Sequence, residues 1–309
     1  MSVLAVGTVA FDRIETPTGM RDRALGGSAM YVTMAARYAC EDVRLVAVIG
    51  NDFPEKYTEI MRSRGIDLDG LELRSDGLTF AWGGRYHEDL NTRDTLYTDL
   101  NVLADFKPKL PSSYKDARII CLGNLHPDVQ QSVMDQVSKP EMVLCDTMNY
   151  WIDKTPDALR NVLARVDCLV INDSETRELS GCSNLVRAAG KIRDMGPEVL
   201  IIKKGEHGAL LFAGENIFSV PAFPLTDIAD PTGAGDAFMG GLAGYLSGCR
   251  DLDLDALKSA LVYGSAVASF TVEKFGPEGL YDLTTSEIEK RVDSFRDLTT
   301  IPISTLSGY

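Results

Sequence analysis

The chain has 309 residues, 45% of them hydrophobic, with 45 acidic against 31 basic side chains and a formal net charge of −14. That length and apolar content suffice for one large α/β unit or two smaller domains. The acidic balance, with no basic stripe anywhere, argues against a nucleic-acid partner held through its phosphates. No run of about 18 apolar residues is present to span a membrane, and the N-terminal MSVLAVGTVAFDRIETP lacks the layout of a signal peptide. Cys40, Cys121, Cys145, Cys168, Cys182 and Cys249 are scattered without disulfide or metal spacing, so a cytoplasmic protein with reduced thiols is expected.

In chain order, SVLAVG reads as a first strand that leads to Asp12, and LGGSAMYVTMAARYA turns at Gly26 and Gly27 into a helix. VRLVAVIG, ARIICLG, EMVLCD, DCLVIN and EVLIIKKG follow as strands, each a short apolar run ending in Gly, Asn or Asp. Between them lie PEKYTEIMRSRG, PDVQQSVMDQVS, PDALRNVLARV and NLVRAAGKIRDMG, all with helical patterning. Near-continuous apolar strands alternating with helices predict an α/β fold with a doubly wound, mostly parallel sheet covered on both faces. DALKSALVYGSAVASFTVEKFG and TSEIEKRVDSFRDL close the chain as helices, giving a single domain over residues 1–309.

Two segments interrupt this rhythm. Residues 13–24 and about 71–104 are polar, turn-rich and enriched in Thr, Tyr, Phe and Trp. They read either as surface hairpins or as a small inserted sheet standing over the carboxyl ends of the parallel strands, where open α/β sheets bind ligands. In the second case the sheet is a lid.

The most informative stretch is DIADPTGAGDAFMGGLAGYL, from Asp227 to Leu246. Gly233, Ala234 and Gly235 turn the chain into a helix whose first amides, unpaired and at the positive end of the helix dipole, favour an anion. The bland alternative is a capped turn. Asp236 beside a bound phosphate would be repelled unless it works as a proton acceptor for an attacking hydroxyl, which points to phosphoryl transfer. The stretch matches neither a Walker A loop nor G-x-G-x-x-G.

DPTGAGDAFMGG resembles the C-terminal signature of the PfkB, or ribokinase-like, sugar and nucleoside kinases, and further matches follow in family order. The resemblance implies Asp236 as catalytic base and Gly233, Ala234 and Gly235 as anion hole, with Thr232 beside the nucleotide. LGGSAMYVTMAARYA resembles the N-terminal Gly-Gly signature, which places Gly26 and Gly27 at the substrate pocket and hinge; Asp12, ending VGTVAFD, would bind substrate hydroxyls. INDSE matches N-x-x-E through Asn172 and Glu175, implying contact with Mg²⁺, held by Glu175, and with nucleotide phosphates. Read from the residues alone, the same pair caps a helix. In IIKKGEHG, Gly205 would lie along the nucleotide, with Lys203 near the phosphates. Asn124 follows a strand end from which it would reach substrate or nucleotide, while Asp146 and Asn149, less defined, are assigned to the site's rim. Where many relatives carry a sugar-binding Asn the chain has Tyr31, an aromatic face or phenol in the pocket. The implied activity is ATP-dependent phosphorylation of a hydroxyl on a sugar or sugar-like molecule. The alternatives are a nucleoside kinase, with Tyr31, Phe80 or Trp82 stacking on the base, and a non-catalytic nucleotide or sugar sensor. The implied cofactors are ATP and Mg²⁺, a monovalent cation such as K⁺ being left open, and the implied assembly is a homodimer through the lid.

Overall fold

The computed structural model describes residues 1–300, so residues 301–309 of the expected single domain lie outside the described residues. Its strands are β1 (Val3–Val6), β2 (Ala10–Thr16), β3 (Gly19–Gly26), β4 (Val43–Ile49), β5 (Ile66–Leu73), β6 (Ala81–Tyr86), β7 (Arg93–Asp99), β8 (Ile119–Leu122), β9 (Met142–Cys145), β10 (Cys168–Asn172), β11 (Val199–Lys203), β12 (Ala209–Ala213) and β13 (Asn216–Val220). Every apolar run read as a strand becomes one of the parallel strands of a nine-stranded sheet in the order β13-β12-β11-β10-β9-β8-β1-β4-β5. Only the β11–β12 and β12–β13 pairings, at one edge, are antiparallel.

Alternation along each strand splits the core in two, because successive side chains point to opposite faces. Val3, Ala5, Ile119 and Cys121 pack beneath helices Ser28–Ala36, Ala234–Gly248 and Leu254–Thr271. Leu4, Val6, Ile120 and Leu122 pack beneath helices Pro127–Met134, Pro156–Leu163 and Leu185–Arg193. Burial on both faces is what the unbroken apolar runs encoded. The chain leaves β1 toward β4 and β5, then returns to β8 on β1's other side. The reversal opens a crevice at the carboxyl ends of β1 and β8, the position at which such sheets bind ligands.

A second, four-stranded sheet has the order β3-β2-β6-β7, antiparallel except where β2 meets β6. It is assembled from both segments that broke the α/β rhythm. The segment from residue 71 is divided differently from the expectation: its first residues end β5, which pairs with β4 as the edge of the large sheet. Ile66, Leu68 and Leu71 alternate with polar residues, the pattern of a half-solvated edge strand, and that alternation resembles the lid's own strands closely enough to hide the boundary.

Helix Ala234–Gly248 is pressed onto its neighbours by glycines. A side-chain carbon on Gly240 would run into the Val32 carbonyl oxygen, one on Gly244 would lie 2.6 Å from the Ala36 carbonyl oxygen, and one on Gly264 would lie 2.7 Å from that of Phe238. These obstacles are backbone, so no rotamer change relieves them. Gly240→Val is therefore expected to destabilise the protein by about 3 kcal/mol, at the upper end of overpacking costs. Urea unfolding at an unchanged slope checks it, and a loss under about 0.5 kcal/mol, the scale of an ordinary surface substitution, would refute the close-packed helix pair.

Candidate active site

One cleft of about 2170 Å³ opens between the carboxyl ends of the large sheet and the small sheet. A single small-molecule pocket measures roughly 300–1,000 Å³, so there is room for two ligands. Of the residues singled out in the sequence all but Gly26 line it. Gly26 lies just beneath: any side chain there would collide with the Asp12 carboxylate.

The turn at Gly233 forms because Gly233 takes a left-handed conformation, φ 77°, and starts helix Ala234–Gly248 with no side-chain cap. Among the described residues the amides of Gly233 and Gly235 have no hydrogen-bond partner. Ala234 departs from the expectation, since its N–H donates to the Pro231 carbonyl at 3.2 Å and is spent within the turn. Asp230, which was not singled out, pins the loop: it is 1% exposed and accepts from the Thr232 N–H at 2.8 Å and the Gly276 N–H at 2.9 Å. Its signal in the sequence was its place as the first residue of DPTGAGD.

Tyr31 does not offer the stacking face that its position suggested. It is 1% exposed, with its ring packed where a Gly233 side chain would stand and its hydroxyl without a partner among the described residues. The ring supports the turn from below. Asn124 is likewise committed, accepting from the Trp151 indole at 2.8 Å and donating toward Met148 Sδ at 3.0 Å. Asn149 donates to Glu178. His126 caps helix Pro127–Met134 and packs edge-on against Trp151.

Asn172 and Glu175 make the helix cap that the residues alone predict. Asn172 Oδ1 accepts from the Glu175 N–H and Glu175 Oε2 from the Asn172 N–H, each at 2.8 Å, a reciprocal cap of helix Asp173–Ser180. Both also line the cleft. At the end of the neighbouring β11, Lys203 pairs with Asp146 at 3.3 Å, and Gly205, φ 54°, meets the Asn91 side chain at the tip of the β6–β7 hairpin.

Acidic groups crowd this space. Burial pushes Asp12 up to about 8, helped by the charges of Asp230 and Asp236. Asp236 rises to about 7, through burial and then Asp146, opposed by Lys203 and Arg93. Glu175 also rises to about 7, again through burial and then Asp146. Burial alone would lower Lys203, but Asp146, Glu175 and Asp236 outweigh it and raise its pKa, so it stays charged. Arg93 on β7, carried into the cleft by the small sheet, was invisible in the sequence because nothing distinguishes it there from a surface arginine.

The small sheet rests on the turn: Thr232 Oγ1 lies 3.1 Å from the Tyr86 hydroxyl, and Thr16 and Thr18 each donate to the Ala229 carbonyl at 3.1 Å. Half-buried Phe80 and Trp82 face the cleft on the side of Asp12, Phe80 beside β2 through the Phe11 N–H at 3.0 Å. Phe223, Pro224, Leu225, Ile228, Ala268 and Val272 give the same cleft an apolar slot. The model for pfkB family carbohydrate kinases matches residues 2–282. The chain belongs to this family. Its relatives include a cytidine kinase of Thermococcus kodakarensis, 29% identical, with 84% of this chain and 96% of that one covered. A nucleoside kinase of Methanothermobacter thermautotrophicus is 27% identical over 89% of this chain and 91% of its own. The fold is that of the Burkholderia thailandensis nucleoside kinase in complex with inosine, TM-score 0.77 at 22% identity, covering 95% of this chain and 97% of that one. The protein is accordingly an ATP-dependent kinase that phosphorylates a hydroxyl of a sugar-like substrate.

The acidic crowding predicts a cost in stability. Asp12 ionises near 3.8 when unfolded and near 8 when folded, so as pH rises through this window the unfolded state gives up a proton that the native state keeps, and stability falls. Asp12→Asn, neutral throughout, should be more stable than the natural protein by roughly 2 kcal/mol or more at pH 8, with the gain gone below pH 4. A pH-independent difference in urea midpoints would contradict the burial of this carboxylate.

Proposed function

We propose that the acceptor is a ribose hydroxyl of a nucleoside and that Asp236 is the general base. The observation that carries the reading is that one cleft with room for two ligands is lined by an aromatic pair, Phe80 and Trp82, with Asp12, by the amide turn with Asp236, and by an apolar slot around Phe223 and Leu225. A base stacked on Phe80 or Trp82 would bring its ribose to Asp12 and Gly27, while the adenine of ATP would occupy the slot and its phosphates the turn. That several relatives are named as nucleoside kinases supports the same choice.

Asp236 would accept the proton of the hydroxyl as it attacks, and the amides of Gly233 and Gly235 would hold the charge developing on the transferred group. The closed lid would keep water from competing. Among the described residues there is no cluster of three or more ligands able to cage a metal ion. That donor set fits Mg²⁺, which is commonly held by one or two carboxylates together with substrate phosphates and water. Glu175, with one carboxylate oxygen outside its cap bond, would be the protein's contribution, and the ion would neutralise phosphate charge.

Asp236→Asn should lower kcat by about two to four orders of magnitude while ATP still binds. In the natural protein kcat/KM should climb with pH through about 7, where Asp236 loses its proton in the free enzyme. Wild-type turnover in the variant would remove Asp236 from the role of base. For the substrate, ADP release should be measured with Mg-ATP across pyrimidine and purine nucleosides and free pentoses and hexoses. Nucleosides are expected to exceed the free sugars by at least about 100-fold in kcat/KM, since the aromatic wall has nothing to bind in a plain sugar. Equal or better use of a free sugar would overturn the nucleoside assignment and leave the kinase chemistry standing.

A further inference from the structure

The Asp146–Lys203 pair has a geometry that an ion pair made only for stability does not require. Asp146 sits just past β9, 8% exposed, in a loop held by Gln130, whose Nε2 donates to the Gly123 carbonyl at 2.9 Å and to the Asp146 carbonyl at 3.0 Å. Its Oδ1 accepts from the Thr147 N–H at 2.9 Å, which aims Oδ2 at Lys203 Nζ, 3.3 Å away. Lys203 ends β11 in register with Asn172 of β10, so its stem runs from the neighbouring strand toward the turn. A side-chain carbon on Gly235 would come within 2.9 Å of its Nζ. The ammonium therefore lies against the Gly235 backbone at the turn.

At 3.3 Å the contact is longer than the roughly 2.7–2.9 Å of a strong charge-assisted bond. An ammonium carries three donors, and Asp146 is the one hydrogen-bond partner of Lys203 among the described residues. The ammonium thus has donors to spare, and it lines the cleft beside Gly235, whose amide is unpaired among the described residues. Glu175 and Asp236 lie near enough to hold the ammonium charged.

We propose that Asp146 is a positioning residue: it holds the Lys203 ammonium at the Gly233–Gly235 turn, and the ammonium passes from Asp146 to the terminal phosphate when a nucleoside triphosphate binds. This rests on the reading of that turn as the phosphoryl site. Mg-ATP brings negative charge into a space already occupied by Asp146, Glu175 and Asp236, and Lys203 is the one cation contributed there by the large sheet. A mobile ammonium answers that repulsion where the charge is greatest, and Asp146 keeps it from folding away while the site is empty.

The test is a double-mutant cycle of Asp146→Asn and Lys203→Met, with Lys203→Arg as a charge-preserving third variant. Steady-state kinetics with varied Mg-ATP would be joined to calorimetric binding of ADP and of a non-hydrolysable ATP analogue. Lys203→Met should lower kcat/KM for ATP by about 100-fold and weaken the triphosphate analogue at least about tenfold more than ADP, as expected for a lost charged hydrogen bond. Asp146→Asn alone should cost about tenfold and add little to Lys203→Met, while Lys203→Arg should recover part of the triphosphate preference. Additive losses in the double variant, or an Asp146→Asn protein that needs more Mg²⁺ for half its activity, would make Asp146 a direct ligand and overturn the inference. A Lys203→Met protein with normal triphosphate preference and turnover would overturn this inference alone. A natural protein that bound neither nucleotide would overturn the phosphoryl-site reading with it.

Discussion

Several carboxylates are buried at or beside one cleft, with the ammonium of Lys203 paired to one of them, and much of the structure follows from that. Asp12, Asp146, Glu175 and Asp230 are all under 9% exposed, and Asp236 stands on the cleft wall among them. Burying a carboxylate is costly unless it is hydrogen-bonded, paired or protonated, and each of these solutions is in use. Asp230 takes two backbone amides, Glu175 takes one, Asp146 takes an amide and Lys203, and Asp12 is pushed toward its protonated form. Asp236, like Asp12, has no hydrogen bond or direct ion pair to its carboxylate among the described residues, and burial pushes it up as well, to about 7.

Such a site persists only on a frame that cannot relax around it. The frame is the close approach of helix Ala234–Gly248 to helices Ser28–Ala36 and Leu254–Thr271, where Gly240, Gly244 and Gly264 let backbone pack on backbone. The same contact packs Tyr31 beneath Gly233, so the helix that begins just after Gly27 supports the Gly233–Gly235 turn. Both glycine turns are thereby set by one packed unit, and the small sheet meets it through hydroxyl contacts from Thr16, Thr18 and Thr232.

The strands, their parallel arrangement and the glycine turn before helix Ala234–Gly248 were legible in the sequence because each is a local property. A strand buried on both faces must be apolar at every position, and a tight turn before a helix must carry glycine. Local spacing also exposed the reciprocal cap of Asn172 and Glu175, and the glycine-rich stretch identified Asp236. What the sequence could not decide were relations between distant segments. Tyr31 reads as a pocket aromatic until helix packing places Gly233 against its ring. The end of β5 reads as lid until β4 offers it an edge. Asn124 reads as a free amide until Trp151 claims it, and Lys203, read as lying near phosphates, shows no partner in the sequence until Asp146, 57 positions away, meets it across β10. Side-chain direction and electrostatic partners depend on which surfaces come together, and that is set by the cooperative burial of the whole chain.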